Sequence, residues 1–379
     1  MITYIEKLLD GQPVEWKTLG EVAEIKRGDR ITKTQLISQG KYPVVSGGTK
    51  PLGYYDQANR SAGTITVAQY GTAGYVDWQS QDFWANDVCY SIFPHPGVDN
   101  RYLYYVLCNK QSMIYSLVTE AIPAHLPRQK LSSVFIPIPP LSVQEEIVRI
   151  LDKFTELEAE LEAELEARKQ QYEYYRNSLL SFANDLEGGG KIVFKTLGEV
   201  GAVRMCKRIL KAQTSTSGDI PFYKIGTFGK APDSYISREL FEEYRSKYSY
   251  PRKGEILISA SGTIGRAIIF DGEDAYFQDS NIVWLAHDET EVLNKYLYYC
   301  YQVIKWKVAE GGTIQRLYND NIRDTTIPVP PLAEQARIVN ILDKFDVLTT
   351  SLTEGLPQEI ELRRKQYEYY REQLLSFPA

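Results

Sequence analysis

Basic side chains cluster near the start of each half of this chain, at matching places. The first cluster lies within residues 26–33 and the second within residues 207–211. Lysine and arginine neutralise phosphates and donate hydrogen bonds to them, so such clusters are typical of surfaces that contact nucleic acid. A solvated protein surface would have the same composition, and that alternative stays open. The candidate phosphate contacts are Lys26, Arg27, Arg30, Lys33, Lys207, Arg208 and Lys211.

Two glycine-rich turns recur at an offset of 191 residues, Gly71-Thr-Ala-Gly74 and Gly262-Thr-Ile-Gly265. Each follows a strand-like run, and glycine lets backbone N–H groups approach a phosphate closely. A simpler interpretation, compatible with the first, is that the glycines only turn a tight corner. The candidate phosphate-contacting residues of these turns are Gly71, Thr72, Thr263 and Arg266.

A polar loop follows later in each half, and its side chains could read base edges. The first loop carries His125 and Arg128, and the second carries Gln315 and Arg316. Arginine can bind guanine through two hydrogen bonds, and glutamine can do the same with adenine. An ordinary surface loop with polar residues remains the alternative.

The sequence shows no motif that would let this chain act as an enzyme by itself. The run Gly188-Gly-Gly-Lys191 lacks the upstream glycine and the following Ser or Thr of a phosphate-binding loop. The three histidines lack metal-ligand spacing, and there is no Asp-Pro-Pro-aromatic motif of an adenine methyltransferase. We therefore expect no catalytic site, no cofactor and no metal in this chain. A self-sufficient modifying enzyme, the alternative, would have to bind S-adenosylmethionine or a nucleotide by itself.

The elements that carry these residues occur twice. The repeated segments are Lys17–Val22 with Lys195–Val200, Ile136–Leu141 with Ile327–Leu332, Leu151–Phe154 with Leu342–Phe345, and Tyr172–Arg176 with Tyr367–Arg371. A repeat of half the chain is too long for a solenoid unit. It predicts two copies of one module, each followed by its own C-terminal segment.

The modules, residues 1–139 and 188–330, are predicted to be mixed α/β (α+β) domains. Short β-rich runs, such as the alternating run at residues 64–68, are broken by Gly and Pro, and residues 256–258 are a candidate buried strand. The tyrosine-rich runs 101–107 and 295–301 are predicted to form matching helices, in which the tyrosines pack rather than stack on bases.

The segments 140–187 and 331–379 are predicted to be long coiled-coil helices. Apolar residues recur at steps of three and four, and Ser142 with Glu145 suggests an N-terminal capping box. The run Gly188–Gly190 is expected to act as a joint, and Phe182 belongs to the apolar seam. Gly355 and Pro357 lie in a four-residue insertion of the second segment, where Pro357 should kink or break the helix.

A helix with one apolar seam needs a partner. We expect the two segments to pair antiparallel within one chain, related by a pseudo-twofold axis. Parallel pairing, or pairing across a homodimer, is the alternative.

Composition sets further bounds. The hydrophobic content of 43% is enough for real cores, and no apolar run could span a bilayer. Four cysteines without paired spacing indicate a reduced, cytoplasmic protein with no membrane partner. The net charge of −6 is unevenly spread, because residues 141–187 hold 12 acidic and 5 basic residues. Outside the two helical segments the chain is slightly basic, which permits DNA contact.

The layout resembles the specificity subunit of type I restriction-modification systems. The resemblance rests on the doubled motifs Ile136-Pro-Ile-Pro-Pro-Leu141 with Gln144, and Ile327-Pro-Val-Pro-Pro-Leu332 with Gln335. Each motif is followed by a long helix that ends in a Leu-Leu-Ser-Phe run. The segments Trp16–Val22 and Phe194–Val200 are also similar to the start of the family's target-recognition domains.

The resemblance implies a non-catalytic subunit whose two target-recognition domains each read one half of a bipartite, asymmetric site on double-stranded DNA. The helices would set the spacer and dock two methyltransferase subunits, and nuclease/translocase subunits would complete the assembly. S-adenosylmethionine, ATP and Mg²⁺ would belong to those partners. The candidate docking and coiled-coil residues are Pro139, Pro140, Gln144, Phe154, Leu157, Leu161, Pro330, Pro331, Gln335 and Phe345.

A structural adaptor that holds two interaction modules on a coiled coil, without binding DNA, is the competing interpretation. Salt-dependent binding to duplex DNA would separate the two.

Overall fold

The computed structural model describes residues 4–181, 192–307 and 315–377. The chain forms two compact units. The first comprises Met1–Ala163 and Gln358–Ala379, and the second comprises Glu164–Pro357. Each unit therefore contains one module together with parts of both predicted helical segments. The joint predicted at Gly188–Gly190 and the seam residue Phe182 lie outside the described residues.

The first module carries nine strands and five helices. The helices are α1 (Tyr4–Leu9), α2 (Leu19–Val22), α3 (Asn100–Asn109), α4 (Gln111–Ser116) and α5 (Arg128–Ser132). The strands are β1 (Glu15–Thr18), β2 (Ala23–Arg27), β3 (Tyr42–Val45), β4 (Tyr54–Tyr55), β5 (Thr64–Ala68), β6 (Val76–Gln79), β7 (Trp84–Ala85), β8 (Cys89–Pro94) and β9 (Phe135–Ile138). The helix α6 (Leu141–Leu180) follows.

The described part of the second module repeats the order of the strands, without counterparts of α1 and α4 and with one additional helix. Its strands are β10 (Val193–Thr196), β11 (Ala202–Met205), β12 (Ile220–Tyr223), β13 (Tyr235–Ile236), β14 (Ile256–Ser259), β15 (Ala267–Ile269), β16 (Tyr276–Phe277), β17 (Ile282–Ala286) and β18 (Thr326–Val329). Its helices are α7 (Leu197–Val200), α8 (Arg238–Lys247), α9 (Asn294–Val303) and α10 (Asn319–Arg323), followed by α11 (Leu332–Thr350) and α12 (Leu356–Leu375). The helix α8 has no counterpart among the described helices of the first module.

Each module is built on a four-stranded antiparallel sheet, in the order β2-β8-β5-β6 or β11-β17-β14-β15. A three-stranded sheet, β4-β3-β7 or β13-β12-β16, and a two-stranded sheet, β1-β9 or β10-β18, accompany it. The strands β5 and β14 are buried along their whole length, and β14 confirms the buried strand predicted at residues 256–258. The helices α3 and α9 confirm the tyrosine-rich helices, whose Tyr102, Tyr105, Tyr296 and Tyr299 are fully buried.

The first helical segment is one continuous helix of 40 residues, α6. It begins at Leu141, and the carbonyl of Pro140 accepts the first helical hydrogen bonds from Val143 and Gln144 (2.9 and 3.1 Å). The prediction that Ser142 caps this helix is therefore wrong, because Ser142 already lies in the first turn. Proline suits this place because it pre-sets an extended backbone before the helix.

The second helical segment is broken, as Pro357 predicted. The helix α11 ends at Thr350 and α12 begins at Leu356, so Pro357 lies in the first turn of a new helix, where its missing N–H is not needed. A Cβ on Gly355 would collide with the carbonyl oxygen of Val347 and come within 2.8 Å of that of Leu348. Glycine is therefore required for this tight connection.

The paired helices run antiparallel. In the first unit, Phe154 stacks on Tyr370 (ring centroids 5.2 Å apart) and also contacts Tyr367 (6.5 Å). Further along α6, Arg364 pairs with both Glu158 and Glu162 (2.5 Å each). Residue numbers rise along one helix as they fall along the other, which confirms intramolecular antiparallel pairing.

Candidate nucleic-acid interface

One end of the four-stranded sheet brings the predicted residues of the first module together. Arg27, at the end of β2, lies opposite Tyr90, at the start of β8. The Tyr90 hydroxyl donates to the carbonyl of Leu126 (3.2 Å), which places the loop of His125 beside the basic cluster. Leu126 in turn donates its N–H to Gln69, just after β5 (2.9 Å). Strand ends, basic residues and polar loop thus meet at one edge.

His125 is held firmly at this edge. Its backbone bridges to Tyr70, and its ring stacks on the Tyr70 ring at 5.4 Å. The hydroxyl of Thr119 lies 2.9 Å from the Nδ1 atom of His125. One ring nitrogen is therefore engaged by the protein, and the ring is half-buried. Arg128 begins α5 and is exposed.

The turn at Gly71 and Thr72 has a structural task. The N–H and the hydroxyl of Thr72 both donate to the carbonyl oxygen of Gly47 (2.7 and 2.8 Å). Gly71 adopts φ +75°, and a Cβ there would lie 2.5 Å from the same oxygen. Because both Thr72 donors are used, the contacts favour a tight corner over a phosphate cradle at this residue.

The basic residues of the first module differ in their freedom to bind. Lys26 pairs with Glu24 (2.9 Å), and Arg27 donates to the carbonyl of Asp87. Arg30 and Lys33 are exposed, and their side chains have no hydrogen-bond or ion-pair partner in the described part of the chain. These two cations are the most available to a phosphate.

The second module has the same arrangement at the equivalent sheet end. Leu317 donates its N–H to Ala260 (2.8 Å), and Arg316 bridges to Ser261. The Arg316 guanidinium also donates to the carbonyl and the hydroxyl of Ser280 (3.0 and 2.7 Å). His125 and Arg316 thus occupy equivalent places, 191 residues apart. Gln315 is exposed beside them.

The second basic cluster lies at this end as well. Arg208 pairs with Asp279 at 3.1 Å but stays 70% exposed in its side chain. Lys207 lies over the Tyr248 ring at 5.1 Å, and Lys211 is exposed. Arg208 and Lys211 line a cleft whose other walls include the hydroxyl residues 214–216 and Lys224. Asp279, the partner of Arg208, and the apolar residues Ile209 and Phe222 also line this cleft, so its cations and hydroxyls could contact a phosphodiester backbone beside one carboxylate.

Arg266 is not free for phosphate. Its Nη1 donates to the carbonyl of Phe228 (2.8 Å), and its N–H donates to the Ser259 hydroxyl (3.0 Å). The carbonyl of Thr263 accepts from the Ser259 hydroxyl. The guanidinium of Arg266 therefore holds the loop that contains Phe228, a role that sequence reasoning missed.

The second glycine of each turn also has a packing reason that the sequence analysis overlooked. A Cβ on Gly74 would lie 3.1 Å from the Tyr115 ring, and one on Gly265 would strike the Trp306 ring. Tyr115 and Trp306 are themselves 191 residues apart. That shared offset between two aromatic residues was the available signal.

The glutamines of the proline motif require a correction. Gln144 was expected to take part in docking or helix pairing, but its side chain is fully buried. Its Oε1 accepts from the N–H of Asp99 (2.8 Å), and its Nε2 donates to the carbonyls of Gly97 (3.2 Å) and Pro139 (2.8 Å). Gln144 therefore fastens the start of α6 to its module and is out of reach of a partner protein.

Gln335 repeats this arrangement in the second unit. It is also fully buried, and its amide bonds to Leu293 (2.9 Å), Glu291 (2.8 Å) and Pro330 (2.8 Å). Pro139 and Pro330 are buried with these glutamines, so docking through them is likewise excluded. Pro140 and Pro331 are more accessible, and each directly precedes its helix and accepts the first helical hydrogen bonds.

The remaining helix residues are positioned for pairing. Phe345 contacts Tyr175 and Tyr172 (ring centroids 5.5 and 6.2 Å apart), just as Phe154 contacts the tyrosines of α12. Leu157 and Leu161 are half-buried on α6. Two tyrosines of each repeat therefore pack between helices, as the sequence predicted, whereas Tyr174 and Tyr369 are exposed.

Each helix is also fastened to its module through the repeated aspartate. Asp152 accepts from Arg101 (2.7 Å) and from the hydroxyl of Tyr105. Asp343 accepts from Lys295 (2.7 Å) and from the hydroxyl of Tyr299 (2.5 Å). Burial raises the pKa of the neighbouring carboxyl of Asp346, and the charge of Asp343 raises it further.

Within the described residues, no helix is long and apolar enough to cross a membrane, and no cluster of acidic, histidine and cysteine side chains could hold a metal ion. The four cysteines are unpaired. Burial raises the pKa of Cys89 to about 12, so this thiol is not poised for nucleophilic chemistry.

Comparisons with known proteins agree with this architecture. The family model for the type I restriction modification DNA specificity domain matches twice, at residues 13–167 and 190–362. A protein of Haemophilus influenzae named "Putative type I restriction enzyme specificity subunit" is 53% identical, over 99% of this chain and 98% of its own length. The Escherichia coli type I restriction enzyme EcoR124I/EcoR124II specificity subunit is 34% identical, over 100% and 98%.

A crystal structure of the type I restriction-modification S subunit from M. genitalium shares the fold. Its TM-score is 0.61 at 19% sequence identity, over 98% of both chains. Two matches to one specificity-domain model, and relatives similar over their whole length, agree with two equivalent modules that are each followed in the chain by a helical segment. The chain belongs to the family of DNA specificity subunits of type I restriction-modification systems, with one target-recognition domain in each half.

Proposed function

We propose that residues 1–139 and residues 188–330 each read one half of a bipartite, asymmetric site on double-stranded DNA. The observation that carries this proposal is the repeated sheet end, where a basic cluster, a glycine turn and a polar loop meet in each module. The two ends are built alike but carry different side chains, such as His125 in one and Arg316 in the other. Equivalent frames with different side chains suit two different half-sites.

The phosphate contacts of this proposal come from the freest cations. Arg30 and Lys33 serve the first module, and Arg208 and Lys211 serve the second. Lys26, Arg27, Lys207, Arg128 and Gln315 complete the interface, with His125 and Arg316 nearest to the glycine turns. The glycine-turn residues Gly71, Thr72, Thr263 and Arg266 shape the surface rather than bind phosphate.

The segments 140–187 and 331–379 set the spacer between the half-sites in this proposal. Their acidic character supports protein contact rather than DNA contact, since carboxylates repel phosphates. We infer that the chain itself supplies recognition only. Methylation and cleavage, with S-adenosylmethionine, ATP and Mg²⁺, then belong to methyltransferase and nuclease/translocase subunits in the cytoplasm.

Two methyltransferase subunits would need two equivalent docking surfaces. Since the proline-motif glutamines are buried, exposed apolar residues at equivalent places are better candidates. In the first unit these are Trp16, Leu141 and Tyr369, and in the second they are Phe194, Leu332 and Tyr174. Large exposed aromatic side chains are frequent anchors of protein interfaces. Each unit carries an exposed aromatic residue on its first strand, an exposed leucine at the start of a helix and an exposed tyrosine on a helix. This equivalence supports the docking of one methyltransferase on each unit.

Binding to duplex DNA tests the proposal. The chain, co-expressed with the methyltransferase of its own system, should retain DNA in a gel shift that weakens steeply with salt. Lys33→Ala and Lys211→Ala should each weaken binding to all sequences alike and lower the salt slope by about one. Lys17→Ala is the matched control, because Lys17 pairs with Glu15 on β1, away from the sheet end. Absence of DNA binding with intact assembly would favour the adaptor alternative.

A further inference from the structure

The two modules differ most in one stretch of the chain. The basic cluster and β3 of the first module lie 178 residues before their counterparts in the second module. The end of β5 and the glycine turn lie 191 residues before theirs. The change falls between β3 and β5 in the first module and between β12 and β14 in the second. It consists of a longer loop after β12 (224–234, against 46–53 after β3) and of helix α8.

The loop after β3 is fastened to the glycine turn of its own module. Its Gly47 carbonyl accepts both donors of Thr72, and a Cβ on Gly47 would strike the Tyr70 carbonyl. The rest of the loop is exposed and carries Lys50, whose side chain has no partner among the described residues. The loop therefore projects from the same sheet end as His125, on a fixed base.

The loop after β12 is fastened to the equivalent turn by different chemistry. Arg266 donates to the carbonyl of Phe228, and the Phe228 ring is fully buried in the module core. The N–H of Ile225 donates to the side chain of Gln278 (3.0 Å). Lys230 is exposed at the outer part of this loop. Both modules thus place a loop of different length and sequence on the same repeated turn.

We propose that these two loops, 46–53 and 224–234, set the base preference of their half-sites, and that Thr72 and Arg266 are positioning residues that hold them. The inference rests on the proposed DNA-reading function and deepens it. The backbone of the surrounding frame is shared, so beyond single side-chain differences such as His125 and Arg316 it offers little to distinguish two half-sites. The loops are the part of the sheet end that differs most in length and sequence, and each is fastened to the glycine turn, as base reading requires. Lys50 and Lys230 are the side chains offered to the grooves.

Two arginines of the second module separate loop positioning from phosphate contact. Arg266→Met removes the bond to Phe228 while keeping the apolar stem, and Arg208→Met removes a cation of the proposed phosphate cleft. Each full-length variant is assembled with the methyltransferase and tested for binding to a library of single-base changes at several salt concentrations. For Arg266→Met we expect discrimination in one half-site to fall about tenfold, with an unchanged salt slope. For Arg208→Met we expect uniform weakening and a smaller slope.

Uniform weakening with a reduced slope in Arg266→Met would show a phosphate contact and overturn the proposal. Arg266→Lys, which keeps a donor, should recover part of the discrimination. If Arg266→Met does not fold, Lys230→Ala decides, because this side chain is exposed: a changed base preference in that half-site supports the proposal, and an unchanged one overturns it. In the first module, Thr72→Val removes the hydroxyl that bonds to Gly47, and Thr72→Ser keeps it. We expect base discrimination in that half-site to fall in the first variant and to be kept in the second. If the wild-type complex does not bind DNA, that result contradicts the proposed function itself.

Discussion

At the scale of single residues, the buried glutamines explain why the proline motif occurs twice. A glutamine side chain carries an acceptor and donors, and here it satisfies one N–H and two carbonyls, of which the carbonyl of Pro139 is buried and the other two groups are partly buried. Leaving such groups unpaired costs free energy, so the amide fixes where the long helix leaves the module. The motif is thus a structural joint, and the docking role expected for it is proposed for exposed residues instead.

Replacing Gln144 by leucine should therefore destabilise the first unit. The change leaves the N–H of Asp99 and the carbonyls of Gly97 and Pro139 without partners, and we expect a loss of about 2–4 kcal/mol in the free energy of unfolding. Gln335→Leu should do the same in the second unit. Ser142→Ala is the control, since this exposed residue does not cap the helix. Denaturant unfolding gives the free energy of unfolding of all three variants. If the glutamine variants lose no more of this free energy than Ser142→Ala, the glutamines do not act as structural joints.

At the scale of elements, α11 contains a carboxyl whose ionisation opposes folding. The pKa of Asp346 is raised by burial and by the charge of Asp343, so the folded state binds this proton more tightly than the unfolded state. Protonated Asp346 therefore stabilises the folded state at low pH. This stabilisation is lost as the pH rises from the ordinary carboxyl range through the raised pKa of Asp346.

Asp346→Asn should remove this effect. We expect the variant to be more stable than the wild type at neutral pH, and the difference to shrink as the pH falls below the carboxyl range. Thermal unfolding of both proteins across this pH range gives the measurement. A difference that is constant with pH would mean that ionisation of Asp346 is not its cause.

The helix α6 is also the proposed ruler. Its acidic stretch repeats a four-residue pattern, close to one helical turn, so inserting or deleting four residues keeps the apolar seam in register. The length changes by about 6 Å, equivalent to roughly two base-pair steps.

Such a change should move the preferred spacer by one or two base pairs while both half-sites stay the same. Methylation of a library of sites with different spacers shows the preference directly. Insertion of four residues into the broken connection 351–355, outside the helices, serves as a comparison and should move it less. An unchanged optimum in the lengthened α6 would contradict the ruler.

Much of this organisation could be predicted from repeats, and some could not. The doubled motifs predicted the two modules, and Pro357 predicted the break between α11 and α12. The seam residues Phe154 and Phe345 predicted helix pairing. Burial of Gln144 escaped prediction because a polar residue in the first turn of a helix looks the same whether it faces water or a buried carbonyl. The attachment of Arg266 to Phe228 escaped because it joins residues far apart in sequence.

At the scale of the whole molecule, the helical segments and the modules carry opposite net charge. The helical segment 141–187 is strongly acidic, whereas the modules are slightly basic despite the net charge of −6. Net charge alone would have argued against DNA binding, and its distribution permits it. The central claim is that two modules with equivalent frames and different reading surfaces recognise the two half-sites independently.

Exchange of one module tests this claim most directly. Residues 1–139 are replaced by the corresponding module of the Haemophilus influenzae relative, and the methylated sites of cells that express the hybrid with its methyltransferase are sequenced. Because each module reads its own half-site, one half of the site should change while the other half and the spacer stay the same. A change in both halves would contradict independent recognition by the two modules.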